Sequence, residues 1–423
     1  MGIIRIGLDD TDSRKGMCTT YIGAVIVRKL REKGIQVFDF PRLIRLNPNI
    51  PWKTRGNCAI CILCESKPSA EEIALRTVEE FAELEVESTN PGVVFYEGGE
   101  TTPELEEFSR KTVQEVVTIE EAEQLAKKVG AEIHKFKLGR GIIGALAAVG
   151  HPLKDFTFEL LAYRKPEFWG KPRRVDPSSV IEMNKKTFPR TFDNLDPSTG
   201  EIRITPHTPC PILYGIRGGS PEAVLEAHSM VRTLEPVDFY QIYKTNQATD
   251  EHLVRVQHLR EIRPLLSVVA EGIVSHAPRI LPGGHVIFSI SDGTAEVDCA
   301  AYEPTRNFRF VASSLRVGDR VRVYGAAKQR TGLPLTVNLE KLEVLQLTPA
   351  LKKLNPKCPR CGRRMKSKGK GKGYSCPGCG EKAGPSSQEL VEVERKLSVG
   401  LYEVPPRARR HLSKPLVRMG RVY

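Results

Sequence analysis

Hydrophobic and polar positions follow two patterns along the chain, and the change between them falls near residue 265. Before that point, short apolar runs typical of buried strands alternate with stretches that have the 3.6-residue period of a helix. We therefore predict an α/β arrangement for the first 160 residues. The predicted strands cover residues 3–8, 37–40 and 59–63, and the predicted helices cover residues 21–32, 69–81 and 118–129. Thr118 and Glu121 form a capping box at the start of the last of these helices.

A second α/β unit is predicted for residues 165–262. Ser220 followed by Pro221 is the combination expected at the N-cap and first turn of a helix, and we predict that this helix continues to residue 232. Strand-like segments cover residues 203–205, 211–216 and 239–243. A β–α–β core of this size fits a ferredoxin-like domain.

Beyond residue 265 the apolar residues alternate with polar ones over five short segments. Five short strands in about 80 residues fit an OB-fold β-barrel, a common nucleic-acid module, although a different small barrel is the alternative. Asp292-Gly293 marks a hairpin turn. The predicted strands cover residues 266–274, 285–291, 296–301, 320–326 and 335–345.

The C-terminal region is predicted to contain an amphipathic helix over residues 388–399, followed by a basic arm. The arm contains Arg407, Arg409, Arg410, His411, Lys414, Arg418 and Arg421.

A length of 423 residues predicts two to four domains. We predict a multidomain α/β and α+β protein with an N-terminal α/β domain (1–160), a ferredoxin-like domain (165–262), an OB-fold domain (265–348) and a C-terminal zinc ribbon with its basic arm (352–423). No apolar run is long enough to cross a membrane, and the N-terminus does not have the pattern of a signal peptide. A cytoplasmic protein without an obligate protein partner is therefore expected.

Positive charge is concentrated at one end of the chain. Residues 352–423 contain 19 Lys and Arg against 5 Asp and Glu, whereas the preceding 351 residues contain 45 against 46. This asymmetry favours a nucleic-acid-binding tail on a balanced body, and the alternative is a solvated basic tail without a partner.

Four cysteines have the spacing of a zinc site. Cys358 and Cys361 form one C-x2-C pair, and Cys376 and Cys379 form another after 14 intervening residues. Two such pairs hold tetrahedral zinc through thiolates, so we predict a structural zinc ribbon. By contrast, Cys58, Cys61 and Cys64 lie in an apolar run and are interpreted as core residues, with Cys61 on the opposite face of a strand from the other two.

The first predicted strand ends at three clustered carboxylates, Asp9, Asp10 and Asp12. Open α/β sheets bind ligands at the carboxyl ends of their strands, and clustered carboxylates repel one another unless a cation is present. Oxygen ligands on a loop suit magnesium, which usually also contacts phosphates. Thr19 and Thr20 follow where a helix begins, so their backbone N–H groups are candidates for phosphate contact. An acidic turn with helix caps is the alternative.

Two further segments are candidates for binding. Gly139, Gly141 and Gly144 have the G-x-G-x-x-G spacing at the start of an apolar helix, which suits either ATP phosphates or close helix packing. A nicotinamide site is rejected, because the motif does not start a βαβ unit with a ribose-binding acid about 20 residues on, and Asp155 comes too early for that role. Positive charge is also concentrated in an otherwise neutral region, where phosphate or RNA contact is favoured over a solvated face. These basic residues are Arg42, Arg45, Lys53 and Arg55.

Several segments resemble one known family in order along the chain. They are GLDDTDSRKGMCTTY (7–21), FPRLIRLNPNIPWKTRGN (40–57), GRGIIGALAAVG (139–150), TPCPILYGIRG (208–218) and TNQATDEHL (245–253). Together with the barrel and the four-cysteine ribbon, they identify the chain as similar to the archaeal isoleucine-tRNA 2-agmatinylcytidine synthetases.

The resemblance implies an ATP-dependent ligase with a kinase-like N-terminal domain. Its members replace the 2-oxo group of the wobble cytidine of a tRNA(Ile) with a CAU anticodon by agmatine, so that the anticodon reads AUA instead of AUG. It implies phosphorylation of the 2-oxo group and of the threonine that matches Thr19. Asp9, Asp10 and Asp12 are expected to hold magnesium or activate the acceptor, and Lys137 and Arg140 are candidates for ATP contact.

Other roles and functions stay open at this point. The barrel, the ribbon and the basic arm are expected to hold the tRNA, with Arg407, Arg409 and Arg410 as contacts. The guanidinium of agmatine requires a carboxylate or carbonyls, for which Asp193 and Asp250 are candidates. A non-catalytic RNA-binding protein and an ATP-dependent small-molecule kinase with regulatory RNA-binding modules are the alternative functions.

Overall fold

The computed structural model describes residues 2–419, and its first half is built on one nine-stranded sheet. The first part of that sheet comes from a βαββαβ unit with strand order β4-β1-β3-β2. Its elements are β1 (Ile3–Asp9), α1 (Thr19–Glu32), β2 (Val37–Arg45), β3 (Cys58–Glu65), α2 (Pro68–Phe81) and β4 (Gly92–Glu97). β1 pairs antiparallel with both β3 and β4. The sequence-based argument from parallel α/β sheets was therefore wrong for this strand, because a βαββαβ unit places its first strand between two antiparallel neighbours.

Alternate side chains along the central strands face opposite sides of the sheet and contribute to two separate apolar cores. Ile4, Ile6 and Leu8 pack beneath α1 and α2, whereas Ala59 and Cys61 face the other side of the sheet. Cys64 joins the first core and Cys61 the second, as the period of a strand requires. None of the ten cysteines, all within residues 2–419, forms a disulfide.

A connecting segment covers the second face of the sheet. It consists of α3 (Pro103–Gln114), α4 (Ile119–Val129), β5 (Glu132–Lys135) and α5 (Ile142–Gly150). The predicted capping box of Thr118 and Glu121 starts α4. α5 is almost entirely buried against the sheet, so its N-terminal end is fixed beside the end of β1.

A second βαββαβ unit extends the same sheet. Its elements are β6 (Thr157–Arg164), α6 (Pro177–Thr187), β7 (Thr191–Phe192), β8 (Ile212–Gly218), α7 (Pro221–Met230) and β9 (Val237–Thr245). The strand order β9-β6-β8-β7 matches that of the first unit and is ferredoxin-like. Parallel pairing of β2 with β9 joins the two units. Residues 203–205 do not form the predicted strand, since β7 occupies the edge beside β8.

An OB-type barrel follows, as predicted. It contains β10 (Leu253–Arg255), β11 (Ser267–Ile280), β12 (Val286–Ser291), β13 (Glu296–Ala301), α8 (Phe308–Ser313), β14 (Arg320–Lys328) and β15 (Thr336–Gln346). Pairing of β11 with β14 and parallel pairing of β13 with β15 close the barrel. Asp292-Gly293 lies in the turn between β12 and β13.

The ribbon is carried on a two-stranded stalk, β16 (Ala350–Leu354) and β20 (Glu389–Val393). The three short ribbon strands are β17 (Lys366–Ser367), β18 (Tyr374–Ser375) and β19 (Lys382–Ala383). The predicted helix over residues 388–399 was wrong. Val391 and Val393 are β-branched, and β16 offers a pairing partner that is distant in sequence, so the segment forms a strand.

The residues after the stalk return to the body of the protein. β21 (Gly400–Glu403) pairs with β15, and residues 404–418 then cross to the two βαββαβ units. We call residues 400–418 the C-terminal strap. Arg421 of the predicted basic arm lies outside the described residues.

No helix within residues 2–419 is long and apolar enough to span a membrane. Single 3-10 turns occur at Pro166–Phe168, Leu259–Glu261, Glu303–Thr305, Pro385–Ser387, Pro406–Ala408 and Leu416–Arg418.

Candidate active site

The three carboxylates occupy the turn that follows β1. Asp9 ends the strand, and Asp10 has a left-handed backbone conformation (φ 55°) that turns the chain away from the sheet. The backbone N–H of Asp10 donates to Asp9 Oδ1 at 2.6 Å. The turn therefore directs the carboxylates toward the start of α5 instead of along the strand.

The carboxylates are partly buried, and the two arginines beside them do not offset the effect of burial on the pKa values of Asp9 and Asp10. Burial and the neighbouring Asp10 hold the pKa of Asp9 well above its usual range. Burial also raises the pKa of Asp10 to about 7, although Arg140 Nη2 lies 2.8 Å from Asp10 Oδ2 and opposes the shift. Arg55 Nη2 lies 3.3 Å from Asp12 Oδ1. Such shifts at a cavity are typical of a functional site.

Asp12 holds the start of α1. The backbone N–H of Thr19 donates to Asp12 Oδ1 at 2.8 Å, and the Thr19 hydroxyl lies 3.2 Å from the same oxygen. Thr11 Oγ1 is 3.0 Å from Thr19 Oγ1, and Thr19 is only 1% exposed. The N–H that was predicted to meet a phosphate is thus already bonded to a carboxylate.

A cavity of about 310 Å³ opens beside the carboxylates. Asp9, Asp10, Asp12 and Arg140 line its polar side. Much of the remaining lining is apolar and consists of Leu46, Ile50, Trp52, Val116, Val117, Ile119 and Ile143, although Lys53, Arg55 and Glu115 also belong to it. We call this space the first cavity. One charged side and one apolar side suit a nucleotide, which has both a phosphate and a base.

The glycine motif serves close packing in this structure. A Cβ on Gly144 would overlap Asp9 Oδ2, and one on Gly141 would overlap the backbone nitrogen of Gly92. The N–H groups of Gly141, Ile142 and Ile143 already donate to the carbonyls of Asn90, Gly139 and Arg140. The alternative of helix packing therefore accounts for Gly141 and Gly144.

The other two predicted ATP contacts on this segment are separated. Arg140 reaches the carboxylates, whereas Lys137 Nζ donates to the carbonyl of Val86 at 2.6 Å on the surface. Gly139 has a left-handed φ of 62° and packs against Lys135. Of the two cations, Arg140 is the one that lines the first cavity.

A second cavity, of about 410 Å³, meets the first at Asp12, Arg55 and Cys58. It lies against the face of the second unit that α6 and α7 leave uncovered. Thr20, Asp193 and Asn194 are among the residues that line it. Asn194 Oδ1 is buried and accepts no hydrogen bond within residues 2–419. The two cavities thus meet at Asp12, next to the N-terminus of α1.

The predicted RNA contacts in the first unit have protein partners. Arg45 contacts Glu159 Oε2 at 3.4 Å, and Arg42 donates to the carbonyl of His151 at 3.0 Å. Arg55 contacts Asp12 and also donates to the carbonyl of Ser13 at 2.9 Å. Lys53 donates to the carbonyl of Pro48. These side chains line cavities or hold the fold and do not form a solvated basic face.

The arginines of the strap also have protein partners, whereas the sequence suggested a basic arm that contacts the tRNA. Arg409 pairs with Asp193 and with Glu403, and Arg407 lies 3.5 Å from Glu201 Oε2. Arg410 pairs with Glu340 at 3.3 Å. Opposite charges distant in sequence bring the arm back onto the body. The eleven Lys and Arg between residues 352 and 382 are all exposed instead.

The two carboxylates considered for agmatine are occupied as well. Lys341 Nζ lies 2.6 Å and 2.7 Å from the two oxygens of Asp250, and the backbone N–H of Lys414 donates to it. Asp193 pairs with Arg409.

Sequence inspection missed Asn194 and Trp52 as cavity residues, because neither belongs to a recognisable spacing; the signal for Trp52 was its place inside the basic 42–55 segment.

The four ribbon cysteines converge as predicted. Their sulfur atoms lie within 4.8 Å of one another, with Cys358 and Cys379 at 3.5 Å and Cys361 and Cys376 at 3.3 Å. Four thiolates at this spacing fit tetrahedral zinc.

Four family models match the chain in order. The TiaS TCKD domain matches residues 5–67 and the TiaS FLD domain residues 139–252. An OB-fold nucleic acid binding domain matches residues 268–345, and the TiaS C-terminal zinc ribbon domain matches residues 355–397.

Known proteins resemble the chain over nearly its whole length. It is 49% identical to TiaS, the isoleucine-tRNA 2-agmatinylcytidine synthetase, of Pyrococcus horikoshii and 47% identical to that of Methanosarcina acetivorans, in both cases over 98% of this chain and 97% of the relative. The chain belongs to the isoleucine-tRNA 2-agmatinylcytidine synthetase family. The resemblance identified from the sequence motifs is thereby confirmed.

Two solved structures of this synthetase family have the same fold. A complex of TiaS with its isoleucine tRNA and ATP superposes with a TM-score of 0.90 at 44% identity, and a complex of TiaS with the tRNA, AMPCPP and agmatine superposes with a TM-score of 0.88 at 41% identity. Each comparison covers 99% of this chain and 98% of the other. The OB fold and the zinc ribbon predicted from the sequence are confirmed by the family models.

Proposed function

We propose that this protein joins agmatine to position 2 of the wobble cytidine of a tRNA(Ile) with a CAU anticodon, at the expense of ATP. The observation that carries the proposal is the cluster of Asp9, Asp10 and Asp12 at the point where two cavities meet. Relatives with this name match 98% of the chain, and a passive RNA-binding protein has no need of three clustered, partly buried carboxylates.

The first cavity is the proposed ATP site. Its apolar side, which includes Trp52 and Ile143, suits a base, and its carboxylates face the region that the phosphates would occupy. Within residues 2–419 the three carboxylates have only Arg140 and Arg55 as ion-pair partners, and they fit a magnesium ion, since carboxylate oxygens are its usual protein ligands. Bound magnesium would neutralise charge on the phosphates during transfer.

The chemistry has two displacements. The 2-oxo oxygen of cytidine attacks a phosphorus atom of ATP, and the bond from that phosphorus to its bridging oxygen breaks. The phosphorylated 2-oxo oxygen can then act as a leaving group. The primary amine of agmatine then attacks C2, phosphate departs with the former 2-oxo oxygen, and the amine loses a proton. Asp12 is the proposed proton acceptor because it lines both cavities.

Thr19 is the proposed protein phosphoryl acceptor implied by the family resemblance. Its hydroxyl lies 3.2 Å from Asp12 Oδ1, so Asp12 is placed to take its proton. Thr19 is only 1% exposed, so a phosphoryl donor reaches its hydroxyl only after a local rearrangement.

Agmatine is assigned to the second cavity. The unpaired acceptor Asn194 Oδ1 can take a hydrogen bond from a guanidinium, whereas Asp193 is already neutralised by Arg409. The amine end of agmatine would then extend toward Asp12, where the second cavity meets the first.

The RNA is assigned to the barrel and the ribbon. The exposed cations between residues 352 and 382 supply the charge for phosphate contacts, and the target base must leave its loop to reach the buried carboxylates.

The test is reconstitution with purified components. The protein is incubated with ATP, magnesium, agmatine and a tRNA(Ile) transcript with a CAU anticodon, and the nucleosides are analysed by mass spectrometry. We expect agmatine-modified cytidine only when every component is present, and none on a matched transcript with a GAU anticodon. ATP turnover that ignores the tRNA would instead indicate a small-molecule kinase, and no turnover would indicate an RNA-binding protein.

A further inference from the structure

A third cavity lies where the first unit, the barrel and the C-terminal strap meet. Five of its ten lining residues are Lys or Arg and none is acidic. Arg45, Lys53 and Arg55 come from the first unit, Lys328 from the end of β14, and Arg410 from the strap. Three parts of the protein that are remote in sequence therefore place positive charge around one space.

Two of these five cations have no carboxylate to neutralise them. Arg45, Arg55 and Arg410 pair with Glu159, Asp12 and Glu340. Within residues 2–419, neither Lys53 nor Lys328 forms an ion pair, and the only partner of Lys53 Nζ is the carbonyl of Pro48. Like charges held together at low exposure are unfavourable unless an anion joins them.

Burial and the neighbouring cations both lower the pKa values of the two lysine amines. Burial, followed by Arg410 and Lys328, lowers the pKa of Lys53 to about 8. Burial and Arg410 also lower the pKa of Lys328. A bound anion would oppose both shifts.

His411 adds a neutral donor to the same cavity. Burial, with Arg45 and Arg217, holds its pKa well below the usual range. Arg217 Nη2 lies 2.7 Å from its Nδ1 and Gln247 Oε1 lies 3.1 Å from the same atom; because a guanidinium can only donate, we assign the proton of the neutral ring to Nε2. Nε2 lies beside Gly56, another lining residue of the cavity.

We propose that the third cavity binds one backbone phosphate of the substrate RNA, next to the nucleotide that reacts. The inference rests on the proposed function and deepens it by naming where the RNA backbone is held. Lys53 and Arg55 also line the first cavity, and Arg45, Arg55 and His411 also line the second. A nucleotide whose base enters either reaction cavity therefore has its own phosphate at this junction.

The phosphates of ATP are the other source of the same chemistry. The positions of two cations favour RNA, because the unpaired Lys328 belongs to the barrel and Arg410 to the strap, and neither lines the first cavity. Lys53, the other unpaired cation, lines both cavities. A nucleic acid lying along the barrel passes Lys328 before its flipped base reaches the carboxylates.

The test is a double-mutant cycle with the full-length protein and a synthetic anticodon stem-loop with a CAU anticodon. One partner of the cycle is Lys328→Ala, and the other is a neutral methylphosphonate in place of the phosphate on either side of the target cytidine. Arg330→Ala is the matched control, since Arg330 is an exposed cation two residues away that does not line the cavity. Lys328→Arg restores the charge.

We expect Lys328→Ala to weaken binding of the stem-loop about five- to tenfold and to reduce the salt slope by about one, with the KM for ATP unchanged. The effect should disappear for one of the two methylphosphonate stem-loops, and Arg330→Ala should not show this coupling. Equal losses for all stem-loops, or a raised KM for ATP with unchanged RNA binding, would overturn the proposal. Because the readout is binding, the result does not depend on whether agmatine is joined to the RNA.

Discussion

The two βαββαβ units have the same strand order, but their central strands end in opposite electrostatic surroundings. β1 ends at Asp9 and Asp10, whose pKa values are raised by burial, and Arg140 opposes both shifts without reversing them. β6 ends at Arg164, whose guanidinium pairs with Glu235 at 2.7 Å, with side chains 1% and 0% exposed. In the second unit the buried charge is neutralised within the protein, and in the first it is not.

The difference separates structural from functional buried charge. Removing ions from water is costly, so a fold that only needs stability pairs them, as Arg164 and Glu235 are paired. The first unit keeps carboxylates in excess beside a cavity, which is reasonable only if a ligand completes their neutralisation. The shared topology therefore sets where a strand ends, and the residues at that point decide what the unit does.

The largest expected effect concerns Asp9. Asp9→Asn keeps the shape of the side chain but removes the charge, and we expect the rate of product formation to fall at least about a thousandfold with tRNA affinity unchanged. Single-turnover assays followed by nucleoside mass spectrometry measure the rate. Glu107→Gln, at an exposed carboxylate of α3, is the control and should stay within twofold of the parent. A rate close to the parent for Asp9→Asn would remove the proposed distinction between the two units.

The next effect is on the stability of the second unit. Glu235→Ala leaves Arg164 buried without its partner, and we expect the free energy of unfolding to fall by about 3–5 kcal/mol in urea titrations. Glu226→Ala breaks the exposed pair with Arg190 in the same unit and should cost less than about 1 kcal/mol. Equal costs for the two variants would show that the buried pair is not the structural element we describe.

Asp10 should make stability depend on pH in the metal-free protein. Its pKa is about 7 in the folded state against an ordinary value of 3.8, so the folded protein keeps this proton longer than the unfolded chain. The stabilisation is complete below pH about 4 and is lost as the pH rises through 7, by at most about 4 kcal/mol. Comparison with Asp10→Asn by urea unfolding between pH 4 and 8 isolates the effect. A difference between the two proteins that does not change with pH would contradict the raised pKa.

The smallest effect concerns a variant that leaves a buried carboxylate of the second unit without its cation, as in the first unit. Arg409→Met removes the strap cation from Asp193, and we expect a loss of about 2 kcal/mol in the free energy of unfolding. Asp193→Asn in the same chain should recover part of that loss, because Asp193 then carries no charge and only Glu403, the other partner of Arg409, has lost its ion pair. If the double variant is as unstable as Arg409→Met alone, the strap stabilises the unit by packing and not by neutralising Asp193.

Local patterns in the sequence predicted much of this molecule. The period-two strands of the barrel, the caps at Thr118 and Ser220, and the convergence of the four cysteines follow from neighbours close in the chain. Asp9, Asp10 and Asp12 were also identified as a cluster, because they lie within four residues.

Features that depend on distant partners were not predictable in this way. The strap was interpreted as a basic arm that contacts the tRNA, since nothing near Arg409 indicates that Asp193 is its partner. Residues 388–399 have a helical pattern in isolation, and only β16 makes part of them a strand. The backbone N–H of Thr19 was expected to be free, but the turn of β1 brings Asp12 onto it.

The most direct test of the account is the affinity for Mn²⁺ as a spectroscopic substitute for magnesium, measured by electron paramagnetic resonance with a non-hydrolysable ATP analogue present. The proteins compared are the parent, Asp10→Asn and Glu226→Ala. We expect Asp10→Asn to weaken Mn²⁺ binding at least about tenfold and Glu226→Ala to leave it unchanged. Equal Mn²⁺ affinity in all three proteins would mean that the unneutralised carboxylates of the first unit do not hold the metal, and the central claim would be wrong.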